Sequence, residues 1–199
     1  LSIVLSMNGL VFSRIDGDLK SREITIAPST VNLSIFNVSN SAFSFSLTNP
    51  KIVHTIVNSF GFSAELGMNT MYYENLSGGV QHDIKYDFLG TTPLPAAPFT
   101  FSPSIDKPSL DGDSTTTRIF MDNNNSNIDS LVNATPKTVT SSPFVKLNPN
   151  PLTDTTNYIL SSSKISVSTE ITLPLEGYAQ GWIMKDTIPF NAKVDELFS

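Results

Sequence analysis

The sequence predicts an all-β protein, an antiparallel β-sandwich of compact or elongated form with one short helix. Between Lys164 and Leu175, apolar residues alternate with Ser, Thr, Glu and Pro at a period of two, as in a strand with one buried face. Turn signals such as Asn8-Gly9 separate further short apolar runs. At 199 residues the chain can bury a core as a single β-rich domain, 1–199. A sub-boundary would fall in the Pro-rich stretch 91–113.

The predicted strands follow one another along the chain with turn signals between them. The first three, which end at Ala27, indicate a meander. Residues 51–57 are rich in β-branched side chains, which suits a strand buried on both faces. In order, the predicted strands are Leu1–Met7, Leu10–Ile15, Arg22–Ala27, Val31–Val38, Ala42–Leu47, Lys51–Val57, Phe62–Tyr73, His82–Phe88, Thr115–Met121, Val139–Asn148, Tyr158–Leu160, Lys164–Leu175 and Gly177–Phe190.

One helix is predicted, over Asn127–Asn133. Ser126 can cap its start, Asp129 stands three residues later in the capping-box position, and Pro136 closes it. Pro174 interrupts the polar face of the long alternating strand, which predicts an edge or a bulge at that point.

Composition excludes several functional classes. The net charge is −6 with only 15% charged residues, and the basic residues are scattered, so we expect no nucleic-acid partner. The absence of cysteine excludes thiolate metal sites and cysteine nucleophiles. No apolar run reaches the roughly 18 residues of a spanning helix. The chain starts at Leu1 inside a strand-like pattern, so we expect that an upstream signal or anchor has been removed.

Catalytic patterns are sparse, and we expect no enzymatic activity and no cofactor. Of the two histidines, His54 lies between apolar Ile52 and Ile56, which favours a hydrogen-bonded core or sheet-face role, and His82 is expected to be solvated. No Gly-x-Ser-x-Gly elbow is present. A glycoside hydrolase stays an alternative, because strands can bring distant carboxylates together. Its candidate carboxylates are Glu65, Glu74, Asp83, Asp87, Glu170 and Asp186.

Calcium is the metal for which the sequence offers candidate ligands, and these are weak: Asp122, Asn124 and Ser126. Their spacing resembles the first ligands of a helix-flanked calcium loop. However, Asn127 stands where that loop needs Gly, and Asn133 stands near the position of its bidentate Glu. The favoured interpretation is an Asn-rich turn held by Asx hydrogen bonds, so we expect no metal.

Aromatic residues offer a binding site, since exposed rings stack on sugars in non-catalytic carbohydrate modules. The candidates are Tyr178, Trp182, Tyr72 and Tyr73, of which Trp182 is as easily a core residue as a surface one.

A resemblance covers most of the chain. Its segments are Phe12–Leu19, Leu47–Ile52, Asn58–Gly61, Leu173–Gly177 and Lys185–Thr187. Together they resemble a family of exported cell-envelope β-sandwich proteins of Bacteroidota. The resemblance implies a signal peptide or a lipid-modified cysteine upstream of Leu1, and it brings no catalytic residues. A looser similarity, through Asn-Pro before an apolar strand, is to late-embryogenesis-abundant-like β-sandwiches.

We therefore expect an exported, non-enzymatic protein of the cell envelope, outer-membrane-associated or at the cell surface. It would act through a protein or glycan partner, as an accessory subunit of an outer-membrane assembly. Strand addition at an exposed sheet edge is a suitable mode of contact. The first alternative is a lipid-binding module with an apolar tunnel between the sheets.

Overall fold

The computed structural model describes residues 12–33, 46–47, 49–75, 79–90, 92–134, 136–151, 157–176 and 190–193. In chain order the elements are β1 (Arg14–Asp16), β2 (Arg22–Thr25), β3 (Ser29–Asn32), β4 (Ser46–Leu47), β5 (Lys51–Asn58), β6 (Ala64–Asn75), β7 (Gln81–Asp83), β8 (Phe99–Thr100), β9 (Thr115–Met121), α1 (Ile128–Asn133), β10 (Pro136–Leu147), β11 (Tyr158–Leu160), β12 (Lys164–Thr172), β13 (Leu175–Glu176) and β14 (Phe190–Lys193). The predicted all-β class is confirmed. The predicted strand Leu1–Met7 lies outside the described residues.

Two antiparallel sheets form a sandwich. The six-stranded sheet has the order β2-β10-β6-β7, with β3 also on β10 and β8 also on β6. The four-stranded sheet has the order β14-β12-β5-β9. Buried side chains from both sheets, such as Ile56 and Leu66, belong to one hydrophobic core. Two short ribbons, β1 with β11 and β4 with β13, complete the described pairings.

The alternation of apolar and polar residues in β12 reflects a strand with one buried face, as predicted. Ile165, Val167 and Ile171 are buried, and Ser166 and Ser168 between them are only half-buried. β12 pairs with β5 so that Ile171 lies opposite Ile52 and Thr169 opposite His54. The strand ends at Thr172, before Pro174, and the chain then pairs with β4 through Leu175. The proline thus marks the end of pairing with β5, because it cannot donate to a ladder.

A bulge at Asn69 in β6 decides which side chains face the core. Opposite it, Ser142 pairs with Thr70 and Pro143 pairs with Met68, which leaves Asn69 as an extra residue. An extra residue in one strand reverses its alternation of faces. Even-numbered residues of β6 therefore face the core before the bulge, and odd-numbered residues face it after the bulge.

The predicted meander at the start of the chain is wrong. β1 pairs with β11, and β2 and β3 pair with successive parts of β10. The twelve-residue β10 is long enough to pair with both β2 and β3, and the three-residue β11 pairs with β1. By contrast, β6 and β7, which follow one another in sequence, pair with each other.

The predicted short helix is confirmed as α1, which begins one residue late at Ile128. The cap differs from the prediction, since the hydroxyl of Ser126 donates to the carbonyl of Asp122 at 2.7 Å. The Asn127 carboxamide instead joins α1 to the chain after β7, accepting from the Lys85 N–H at 2.7 Å and donating to the Asp83 carbonyl at 3.0 Å. No helix of the described residues has the length and apolar character needed to cross a membrane.

Candidate functional site

The bulge at Asn69 divides the predicted aromatic platform. Tyr73 is 5% exposed, belongs to the core and stacks on His82 with ring centroids 5.0 Å apart. Burial raises the pKa of the Tyr73 phenol. Tyr72 lies on the opposite, outer face of the six-stranded sheet and is half-buried. The two tyrosines therefore do not form one stacking surface. Tyr178 and Trp182 lie outside the described residues.

Tyr72 has acidic neighbours on that outer face. It lies directly opposite Asp83 of β7, and the carboxylate of Glu74 accepts a hydrogen bond from Gln81 at 3.2 Å. His82, which was expected to be solvated, is half-buried because its ring packs on Tyr73.

His54 is a core residue, as its apolar neighbours predicted. It is 1% exposed, its Nδ1 lies 2.9 Å from the Thr169 hydroxyl, and its ring centroid is 4.8 Å from that of Phe101. Its Nε2 is buried without a hydrogen-bond partner. Desolvation lowers the pKa of His54 to about 4, so the imidazole is neutral at pH 7.

A small cavity lies between the sheets. Ile26 and Met68 line it from the six-stranded side, and Val167 and Thr169 line it from β12. Its volume of about 20 Å³ has room for a single water molecule. At this position the space is far too small for the acyl chain that a lipid-binding module would hold.

The weak calcium candidates form the turn that follows β9. The Asp122 carboxylate accepts a hydrogen bond from the Asn124 N–H at 2.8 Å, which is an Asx turn. Asn124 itself is exposed, and Ser126 is buried beneath the turn. Within the part of the chain that the structure describes, no three His, Asp or Glu side chains come together to hold a metal ion.

The side chain of Asn125 acts as a peptide group at the end of β9. Its Nδ2 donates to the carbonyl of Phe120 at 2.9 Å, and its Oδ1 accepts from the N–H of Asp122 at 2.9 Å. The Phe120 carbonyl and the Asp122 N–H therefore point away from β5, which is the strand that pairs with β9. Because successive residues of a strand direct their peptide groups to alternate edges, Thr116 and Arg118 also point theirs away from β5.

Among the residues that the structure describes, this side of β9 is an open sheet edge. Within the described residues no strand pairs with β9 there. The three side chains that alternate with the core-facing ones, Thr116, Arg118 and Phe120, are all exposed, and Phe120 is 47% exposed. The guanidinium of Arg118 lies 5.7 Å from the centroid of the Phe120 ring. We call the outward peptide groups and side chains of these three residues the β9 edge.

Further apolar surface lies at the Phe120 end of the β9 edge. Phe88 and Leu89 form an exposed turn, and Leu89 is 78% exposed. The backbone carbonyl of Asn125 accepts a hydrogen bond from the Asp87 N–H at 2.9 Å, which joins this turn to the turn that follows β9. Large exposed apolar side chains close to one another indicate an interaction surface.

Sequence reasoning identified β9 as a strand and missed it as a site. One signal was present, since the alternation that buries Ile119 and Met121 also places an Arg and a Phe on the polar face. Whether a strand is at the edge of its sheet depends on pairings that composition and spacing do not reveal. Comparisons of the chain with protein-family models, with curated proteins and with solved structures found no match. The candidate site therefore rests on the geometry of this chain.

Proposed function

We propose that this protein is a non-enzymatic, exported protein of the cell envelope or cell surface that binds a partner at the β9 edge. The observation that carries the proposal is the set of outward peptide groups at Thr116, Arg118 and Phe120, next to exposed apolar side chains. A surface rich in Ser, Thr and Asn and the resemblance to envelope proteins support the location. A lipid-modified cysteine upstream and an accessory role in an outer-membrane assembly belong to the same proposal.

An open edge favours a protein partner that adds a strand. Main-chain hydrogen bonds would supply affinity, and alternate side chains would supply specificity. Each such bond contributes a net ~0.5–1.5 kcal/mol, and burial of an exposed Phe contributes about 1.5–3 kcal/mol. Natural proteins usually cover or charge a sheet edge, because an open one attracts other chains. On β9 one Arg provides the charge, which limits unspecific pairing and leaves the central peptide groups accessible.

A proline at Thr116 is expected to abolish binding of the native partner without unfolding the protein. Proline removes the outward N–H and places its ring in the path of an added strand, yet it leaves the ladder to β5 intact. Thr116→Ala keeps the N–H and serves as the matched control. Binding is measured by capture from extracts of the native envelope, with circular dichroism to check both folds. Full retention of the partner by Thr116→Pro would show that the edge is not the site.

The same experiment distinguishes a glycan partner. A glycan would stack on Tyr72, which lies on the outer face between acidic neighbours. Tyr72→Ala would then lose binding, and Thr116→Pro would keep it. For the location, fractionation of native cells with an antibody to this chain should recover it with the envelope, and recovery in the cytosol would contradict the proposal.

A further inference from the structure

The hydrogen bonds of Asn125 carry information about the direction of an added strand. In a parallel pair, one residue of the added strand donates to the carbonyl of residue i−1 and accepts from the N–H of residue i+1. The Asn125 carboxamide bonds Phe120 and Asp122 in this pattern, at 2.9 Å for each bond. It therefore occupies the place of a parallel partner opposite Met121.

A parallel strand can continue from that position and satisfy the groups that are still open. Its residue opposite Ile119 would donate to the Arg118 carbonyl and accept from the Phe120 N–H. Its residue opposite Thr117 would donate to the Thr116 carbonyl and accept from the Arg118 N–H. These two residues use every outward group from the Thr116 carbonyl to the Phe120 N–H. A third residue, opposite Thr115, would accept from the Thr116 N–H, and Asn125 would end the ladder at the other end.

An antiparallel strand fits less well. An antiparallel partner exchanges both an N–H and a C=O bond with one residue. It can do so at Thr116 and Arg118, but the Phe120 carbonyl already accepts from Asn125. One N–H at the Phe120 position would stay unpaired, which weakens binding by about two- to tenfold. Two copies of β9 related by a two-fold axis would also run antiparallel, so the same argument disfavours a homodimer through this edge.

The side chains of the β9 edge define the chemistry of the partner. Arg118 is the charged residue of β9, and the ion pairs that join described residues involve Arg14 with Asp16 and Asp111, and Lys20 with Asp18. A carboxylate on the added strand, opposite Arg118 on the outer face, would complement its charge. The next outward residue would lie opposite Phe120, which is 47% exposed, so an apolar side chain there would cover its ring.

We propose that the β9 edge binds an extended segment of a different protein that runs parallel to β9, with an acidic residue opposite Arg118 and an apolar residue towards its C-terminal end. The inference rests on the proposed function and adds the direction and side-chain chemistry of the partner.

The first test is amide hydrogen exchange of the free protein followed by NMR. The N–H groups of Thr117, Ile119 and Met121 face β5 and should exchange slowly, and those of Thr116, Arg118 and Phe120 should exchange rapidly. Slow exchange at all six would mean that the chain covers its own edge, and this would overturn the inference.

The second test selects ligands for the whole chain from a library of random linear heptapeptides displayed on phage. Peptides that bind wild type and not Thr116→Pro are expected to carry Asp or Glu two residues before an apolar residue. Selection against Arg118→Gln should lose the acidic preference, and a selected peptide should bind this variant about two- to fivefold more weakly.

A nitroxide on a selected peptide then reports its direction. A label at the C-terminal end should broaden the amide signals near Met121, and a label at the N-terminal end should broaden those near Thr115. The reverse pattern would overturn the parallel assignment and leave the proposed binding function intact. Failure to select any peptide that needs the edge, or a dimer of the free chain in sedimentation, would overturn the inference itself. Partner capture with Thr116→Pro judges the proposed function separately.

Discussion

Acidification from pH 7 to pH 4 is expected to remove about 3 kcal/mol of folding free energy through His54 alone. Burial lowers the pKa of His54 from 6.5 to about 4 in the folded protein. Between these values the unfolded chain binds a proton at His54 and the folded chain does not. Unfolding therefore takes up a proton in this window, and stability falls as the pH falls. Below about pH 4 both states are protonated and the loss is complete.

The described residues around His54 supply no charge that would offset this effect. Thr169 faces it from β12, Ile119 lies opposite it on β9, and Phe101 packs on its ring. A protonated imidazole would carry its charge into an apolar core with an unpartnered Nε2. Urea unfolding of wild type and His54→Gln at half-unit pH steps isolates the contribution, because the carboxylates titrate in both proteins.

The difference between the two proteins should change by about 1.4 kcal/mol per pH unit between pH 6.5 and pH 4. Above pH 7 the difference between the two proteins should not change with pH. Any stability that His54→Gln loses through the substitution itself appears as this constant difference. Equal pH slopes in the two proteins would show that His54 binds its proton as readily in the folded state as in the unfolded one.

Gly67→Ala is expected to destabilise the sandwich by about 1–3 kcal/mol, although it adds only one methyl group to a strand. Gly67 lies directly opposite Phe144 of β10, and an added Cβ would overlap the end of the Phe144 ring. The Phe144 ring is buried against Gly67 and would have to move to make room for the added methyl group. Since β6 and β10 are the two long strands of the six-stranded sheet, displacement there disturbs its centre.

A double-mutant cycle in urea tests this packing. Phe144→Leu alone should also destabilise the protein, but combined with Gly67→Ala it should cost less than the sum of the two changes, because the clash is gone. Thr70→Ala, at an exposed position of the same strand, is the control and should stay within about 0.5 kcal/mol of wild type. Strict additivity of the two changes would contradict the proposed contact.

The local pattern of the sequence predicted the elements whose structure depends on near neighbours. Ile165, Val167 and Ile171 alternate with polar residues, so their strand and its buried face could be predicted. His54 could be placed in the core because Ile52 and Ile56 flank it at the strand period. The position of the short helix from Ile128 was also predicted, although Ser126 bonds to Asp122 and does not cap it as its spacing indicated.

Pairing between distant segments was not predictable in the same way. Nothing near Arg14 in the sequence indicates that it pairs opposite Leu160. The bulge at Asn69 is defined by the two residues that it separates on β6 and their partners on β10. It moved Tyr73 into the core and left Tyr72 outside. For the same reason the β9 edge could not be predicted, since an edge is defined by the strand that is missing beside it.

The long strand β10 has a consequence for how the chain folds. It holds both β2 and β3, and the paired hydroxyls of Thr30 and Thr140 are 110 residues apart in sequence. The N-terminal strands are synthesised first and must wait for β10 and β11 before they can form their ladders. Closing such long loops is slow, and all-β domains with this kind of connectivity fold in roughly milliseconds to seconds. During synthesis β1, β2 and β3 therefore cannot form these ladders until β10 and β11 have been made.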